Sequence, residues 1–198
     1  MINFINLDKS EPYHKFFELY KLAESSNQIA TEAASISSYS KDNNEVSARY
    51  VNIKFVENES FIFFTNYNSP KALAFKSYNQ IAALIYWSSI NIQIRMKAKI
   101  KKTSNEYNQK YFFDRSEEKN ALAISSNQSM PIESYSQVKE NYKKSLKNDD
   151  LKTCPKYWGG FSFTPYYFEF WEGNESRINK REIFDKIDGV WKQSFLQP

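Results

Sequence analysis

Five arginines stand among the 27 basic residues of this 198-residue chain: Arg49, Arg95, Arg115, Arg177 and Arg181. Lysine is the default cation, so the retained arginines point to places that want a planar, permanently charged fork, as on a phosphate or carboxylate. Two of them close the stretch 157–181, which also holds Gly159 and Gly160, half of the four glycines present, and an aromatic run ending at Trp171. Recognition of an anion must rest on side chains and helix ends, because there is no G-x-G-x-x-G and no Walker sequence. His14 is the one histidine and Cys154 the one cysteine. That excludes an internal disulfide, a zinc or haem cluster of the usual kinds, and Cys–His or Ser–His–Asp catalysis not built on His14. His14 sits where Tyr13, Phe16, Phe17 and Tyr20 recur at helical spacing, so it reads as a partly exposed helix residue.

Composition narrows the classes further. The net charge of +4 and pI of 8.9 could suit nucleic acid, but the lysines are spread along the chain. The densest run, residues 97–102, alternates with Ala98 and Ile100 as the solvated face of a strand would. Nucleic-acid binding is therefore not expected. The first residues lack the basic start and apolar centre of a signal peptide, and no run of about 18 uncharged apolar residues occurs. The expectation is a cytoplasmic protein without a membrane span or a metal.

The elements that must position these residues follow from periodicity. A helix is predicted over 12–26, then β-rich or alternating segments over 29–39, 46–56, 60–66, 80–87 and 90–100. A short helix over 69–78 interrupts them, with Ser69 as N-cap and Pro70 at its first position. Helices over 104–115, 116–126 and 133–146 follow, and strands return over 161–171, 176–187 and 190–196. This order predicts a single α+β domain, 1–198, built on a closed or nearly closed antiparallel barrel. It comprises an N-terminal helix segment (1–28), a helical insertion (104–150) and C-terminal barrel strands (157–198). Gly159 and Gly160 are expected to let the backbone turn tightly and pack closely. Alternation along the last-but-one strand would place Arg177, Asn179 and Arg181 on one face.

Several stretches, in order and spacing, resemble the pyridoxamine 5′-phosphate oxidases: R-Y-V-N-I-K (49–54), F-F-T-N-Y-N-S-P-K (63–71), Gln93 in I-Q-I-R, K-Y-F-F-D-R (110–115), N-Q-S (127–129), and the tail from Y-W-G-G-F through E-F-W to R-I-N-K-R. The tail is the most specific part, and the resemblance spans nearly the whole chain. It implies an FMN-binding split barrel, antiparallel and Greek-key-like with flanking helices. It also implies a homodimer with flavin at the subunit interface, and oxidation of a phosphorylated B6 amine or alcohol to pyridoxal 5′-phosphate by O2. Carried over by residue, the flavin contacts would be Arg49, Lys54, Phe64, Thr65, Lys71, Gln93, Gln128, Ser129, Trp171 and Arg181. The substrate contacts would be Lys54, Tyr111, Arg115, Lys119, Arg177 and Asn179, with Arg177 and Asn179 nearest the chemistry.

Three positions depart from that family's pattern. Pro70 stands where an arginine usually flanks the phosphate-binding lysine, Lys119 where a serine meets the substrate phosphate, and Asn179 where a histidine sits near the reacting end. Asparagine donates and accepts hydrogen bonds but does not exchange a proton near neutral pH. The alternatives are a related flavin oxidoreductase for another planar aromatic, and a protein that only holds flavin or pyridoxal phosphate.

Overall fold

Period-two segments pair into one ten-stranded sheet, and the apolar side of each strand fills its interior. A computed structural model describes residues 1–198. The strands are β1 (Asn3–Ile5), β2 (Ala33–Ser40), β3 (Glu45–Asn52), β4 (Phe55–Glu57), β5 (Ser60–Asn66), β6 (Gln80–Trp87), β7 (Ile92–Lys102), β8 (Trp158–Glu172), β9 (Lys180–Ile187) and β10 (Val190–Leu196). Hydrogen-bonded neighbours run β1-β4-β5-β8-β7-β6-β2-β3, with β9 on β8 and β10 on β9. All pairs are antiparallel except β1 with β4, and β1 was not expected from the sequence. β3 curls round to approach β5 without forming a ladder with it. The result is a nearly closed barrel with one seam.

Helix α1 (Glu11–Ser25) carries Pro12 in its first turn and buries Tyr13, Phe16 and Tyr20 on one stripe. Those rings meet Phe61, Trp87 and Phe168 across the barrel. On β7, Ile92, Ile94, Met96, Ala98 and Ile100 are buried while Arg95, Lys97 and Lys99 face out, as the alternation requires. The β7–β8 register shifts between Lys97 and Ala98. Pro165, which has no N–H to give a ladder, pairs with Ala98 at that point. The helical insertion is α3 (Asn105–Asp114), α4 (Glu117–Ser125) and α5 (Tyr135–Asn148), and α2 (Pro70–Ser77) begins at Pro70 after Ser69. No helix is long and apolar enough to cross a membrane.

Three local expectations are corrected. The segment 46–56 is two strands, because the chain turns at Ile53 and Lys54, whose amides go to the Glu32 and Ile62 carbonyls at 2.9 and 2.7 Å. Strand β9 begins at Lys180, so Arg177 and Asn179 lie in the loop before it and do not share a strand face with Arg181. That loop closes on itself. The Asn174 side chain accepts from the Ser176 amide at 2.9 Å, the Asn179 side chain accepts from the Asn174 amide at 3.0 Å, and Arg177 takes a left-handed φ of 63°.

Gly159 and Gly160 make no turn. They lie inside β8, opposite Thr65 and Phe64, and their expected role in close packing holds. A Cβ on Gly159 would overlap the Tyr67 hydroxyl and the Asn108 amide, and one on Gly160 would sit 2.6 Å from Thr103 Oγ1. The buried Asn108 of α3 accepts from the Gly160 amide at 2.8 Å and donates to Tyr67 Oη at 3.0 Å. Gly159→Ala should destabilise the protein by roughly 1–3 kcal/mol through this overlap, read as a thermal midpoint lower by about 2–4 °C per kcal/mol.

Candidate functional site

The seam between β3 and β5 opens into a cleft of about 690 Å³. Its floor is the end of β5, with Phe64, Thr65 and Asn66, and one side is Tyr50, Val51 and Asn52 of β3. The insertion closes the other side with Tyr111 and Arg115 from α3 and its C-cap, Lys119, Leu122 and Ala123 from α4, and Ser126 and Gln128 beyond it. Lys54 enters from the turn that interrupts the expected strand, and Lys71 from the first turn of α2.

The cleft has two chemically different parts. One is an aromatic wall: Tyr111 stacks on Phe64 at 3.7 Å and 12°, and Trp158 lies parallel to both, 5.4 Å from Phe64 and 6.3 Å from Tyr111. The Arg115 guanidinium lies 5.0 Å from the Trp158 ring centre and donates to the Lys119 carbonyl at 2.9 Å, which fixes its direction.

The other part is cationic. Lys54, Lys71, Arg115 and Lys119 line the cleft against a single carboxylate, Glu32. Glu32 faces the N-terminal amine at 3.3 Å, and although burial opposes its charge, hydrogen bonds, that amine and Lys54 hold its carboxyl below the ordinary value. Lys71 is 9 % exposed, makes no ion pair, and donates only to Thr65 Oγ1 at 3.0 Å and Ser69 Oγ at 3.2 Å. Burial, then the nearby charge of Arg49, pushes its ammonium down to about 8. Burial also lowers Lys54, and Lys119 and Arg115 lower it further against the pull of Glu32. Arg115 is lowered by burial and remains a cation. Four cations gathered against one carboxylate, with Lys71 buried and outside any ion pair, suit an anion with more than one negative charge.

Eight expected site residues therefore meet in one cleft: Lys54, Phe64, Thr65, Lys71, Tyr111, Arg115, Lys119 and Gln128. Gln128 is held by Thr65 Oγ1 and the Asn66 amide, both donating to its Oε1 at 2.8 and 3.2 Å. Arg49 lies behind the cleft on β3, donating to the Ile36 carbonyl at 3.0 Å and Ser38 Oγ at 2.8 Å, close enough to bear on Lys71. A second group is not in this cleft. Gln93, Trp171 and Arg181 form a row across β7, β8 and β9, Trp171 being the register partner of both others. Ser129 lies beyond α4 at a φ of 69°, and Arg177 and Asn179 lie in the exposed loop, all outside the cleft's lining. Trp158 and Glu32 were missed. The signal for Trp158 was present, since it directly precedes the paired glycines, whereas Glu32 carries no pattern and is brought in by the start of β2.

Comparison with known proteins gives consistent matches. Residues 158–198 match the family described as the pyridoxine 5′-phosphate oxidase C-terminal dimerisation region. The pyridoxine/pyridoxamine 5′-phosphate oxidase 1 of Hydrogenovibrio crunogenus is 31 % identical over 96 % of this chain and 89 % of its own. That of Christiangramia forsetii is 34 % identical over 95 % and 89 %. Among solved structures, PhzG from Burkholderia lata in complex with tetrahydrophenazine-1-carboxylic acid superposes with a TM-score of 0.89 over 96 % of this chain and 93 % of that one, at 22 % identity. A pyridoxamine 5′-phosphate oxidase-related, FMN-binding protein from Nostoc punctiforme gives 0.79 over 96 % and 100 %, at 13 %. The last two establish likeness of fold.

Because Lys71 is depressed below its ordinary 10.5, its buried charge opposes folding below pH 8, and stability should rise as the pH moves from about 8 toward 10.5. Anion binding has the opposite dependence. Sulfate, whose own charge is constant there, should bind most tightly below pH 8 and more weakly above it, and Lys71→Gln should flatten that limb in a calorimetric titration.

Proposed function

The chain belongs to the pyridoxine/pyridoxamine 5′-phosphate oxidase family, and we propose that it is an FMN-dependent oxidase converting pyridoxamine or pyridoxine 5′-phosphate to pyridoxal 5′-phosphate with O2 as acceptor. The observation that carries this reading is the pairing of a planar aromatic wall with four cations set against one carboxylate, the buried Lys71 among them without an ion pair. A phosphorylated aromatic ring offers the complement to both parts at once.

The residues present fit FMN. Lys71, with Thr65 and Ser69 at its ammonium and Arg49 behind it, suits the phosphate end. Pro70 removes one expected cation, and in the first turn of α2 only the Lys71 amide has no backbone acceptor, since those of Ala72 and Leu73 go to the Ser69 carbonyl. When bound, FMN supplies the hydride acceptor and passes the electrons to O2. Lys54, Tyr111, Arg115 and Lys119 then hold the substrate phosphate, and the wall of Tyr111 and Trp158 fixes the plane of its ring. Burial raises the Tyr111 phenol above its ordinary value, so it stays a hydrogen-bond donor at neutral pH. The protein's work is to hold one carbon in line for transfer, which needs position more than proton exchange.

The row of Gln93, Trp171 and Arg181 would complete the site of a partner subunit in a homodimer. Support comes from the apolar residues exposed on β3, β6 and β10, among them Val46, Tyr50, Tyr86 and Phe195, and from the family match of the C-terminal segment. A second reading keeps the flavin and changes the substrate to another planar aromatic anion. Lys119, exposed at the cleft's edge, and Asn179, whose side-chain oxygen is taken up by its own loop, favour it.

Purified protein should be yellow and release FMN on denaturation. Supplied with either B6 phosphate and O2, it should yield pyridoxal 5′-phosphate and hydrogen peroxide. Arg115→Ala should raise KM about tenfold or more with a smaller effect on kcat, as expected for a phosphate contact. Flavin-loaded protein that oxidises neither vitamer selects the second reading, in which Lys119→Ser with Asn179→His creates or raises B6 oxidation.

A further inference from the structure

Glu169 is a carboxylate 1 % exposed that touches nothing in the cleft, and it holds two of the five arginines. Its Oε1 accepts from Arg181 Nε at 2.9 Å and lies 2.8 Å from Nη2 in an ion pair, so one oxygen faces a whole edge of that guanidinium. Its Oε2 accepts from Arg95 Nη1 at 2.8 Å and from the Tyr167 hydroxyl at 2.9 Å. Burial, then Glu169 itself, pushes the Tyr167 phenol up to about 12, which keeps it a donor to Oε2. On the far side, Arg181 Nη1 donates to the Gln197 carbonyl at 3.0 Å. The Nε hydrogen and one Nη1 hydrogen are thus committed, and hydrogens remain on both Nη1 and Nη2.

A buried ion pair is a poor device for stability, because desolvation offsets most of its attraction. The geometry offers a better reason for this one. Arg95, Glu169 and Arg181 sit on three adjacent strands, and Glu169 is two residues from Trp171 on the same strand face. Trp171 is the register partner of Arg181. In a chain that uses lysine by default, the partner of this carboxylate that lies beside Trp171 is an arginine, whose plane can be fixed as a lysine's ammonium cannot.

We propose that Glu169 is a positioning residue, which locks the plane of the Arg181 guanidinium so that its remaining Nη1 and Nη2 hydrogens meet the acceptor edge of the flavin ring. This rests on the FMN reading above. It is separable from simple electrostatics by sign. Removing a negative charge near the flavin would by charge alone favour the electron-rich reduced form and raise its midpoint potential; removing a positioning group does the reverse.

The test is FMN titration of apoprotein by flavin fluorescence, with the midpoint potential of the reconstituted protein measured beside it. Glu169→Gln should weaken FMN binding about tenfold or more and lower the potential. Arg95→Lys, on the other side of the same carboxylate, should leave FMN affinity within about twofold. Glu169→Asp keeps the charge and loses the reach, so weaker FMN binding at equal charge carries the proposal even where the glutamine variant does not fold. Unchanged or tighter FMN binding in the aspartate variant, or a raised potential in the glutamine variant, overturns it. Wild-type protein that takes up no FMN removes the flavin reading and this proposal together, whereas uptake indifferent to Glu169 removes the proposal alone.

Discussion

A helix can lie against the backbone of a strand only where no Cβ stands between them, and the cleft depends on one such approach. Gly159 and Gly160 admit Asn108 and Thr103 to the surface of β8, and Asn108 then bonds the Gly160 amide directly. This fixes the first half of α3 on the sheet. The second half carries Tyr111 over Phe64, and Arg115, at the helix's C-cap, over Trp158. The aromatic wall is therefore not a separate device. It follows from two missing methyl groups and one buried amide.

Charge is handled in two opposite ways in the same molecule. Away from the cleft, buried carboxylates are matched closely: Glu169 by two arginines and a phenol, Glu182 by Lys15, Lys180 and Gln193. Inside the cleft the cations outnumber the single carboxylate, and Lys71 has only hydroxyl oxygens for partners. The protein has the means to neutralise buried charge and does not use them here. The unmatched charge is of the kind that a bound anion would relieve.

Much of this was legible in the sequence. The strands β6 and β7 follow alternation and β5 its β-rich composition, α2 follows the Ser69–Pro70 start, and the cleft residues on β5 and α3 follow motif spacing. What was not legible has a common cause. The break at Ile53–Lys54 and the late start of β9 at Lys180 are set by hydrogen bonds to distant or loop groups, which period-two composition does not record. The segments 46–56 and 176–187 both looked like unbroken strands because their residue types favour β structure on either side of the break. The paired glycines misled in a related way. Turn formation and close approach leave the same residue behind, and only the position of Asn108, some fifty residues earlier in the chain, distinguishes them.

The loop before β9 is tied together by asparagine side chains and backbone amides, every one of them at the surface. Its two large side chains, Arg177 and Ile178, are exposed. Water can replace each of those bonds at little loss, whereas β8 cannot part from β7 or β5 without exposing Phe161, Phe163, Phe168 and Phe170. Amide protons of residues 174–179 will accordingly trade with solvent long before those of the strand that leads into them. One end of the hairpin is anchored in the slowest-opening part of the molecule, and its tip works on a free-energy scale of its own.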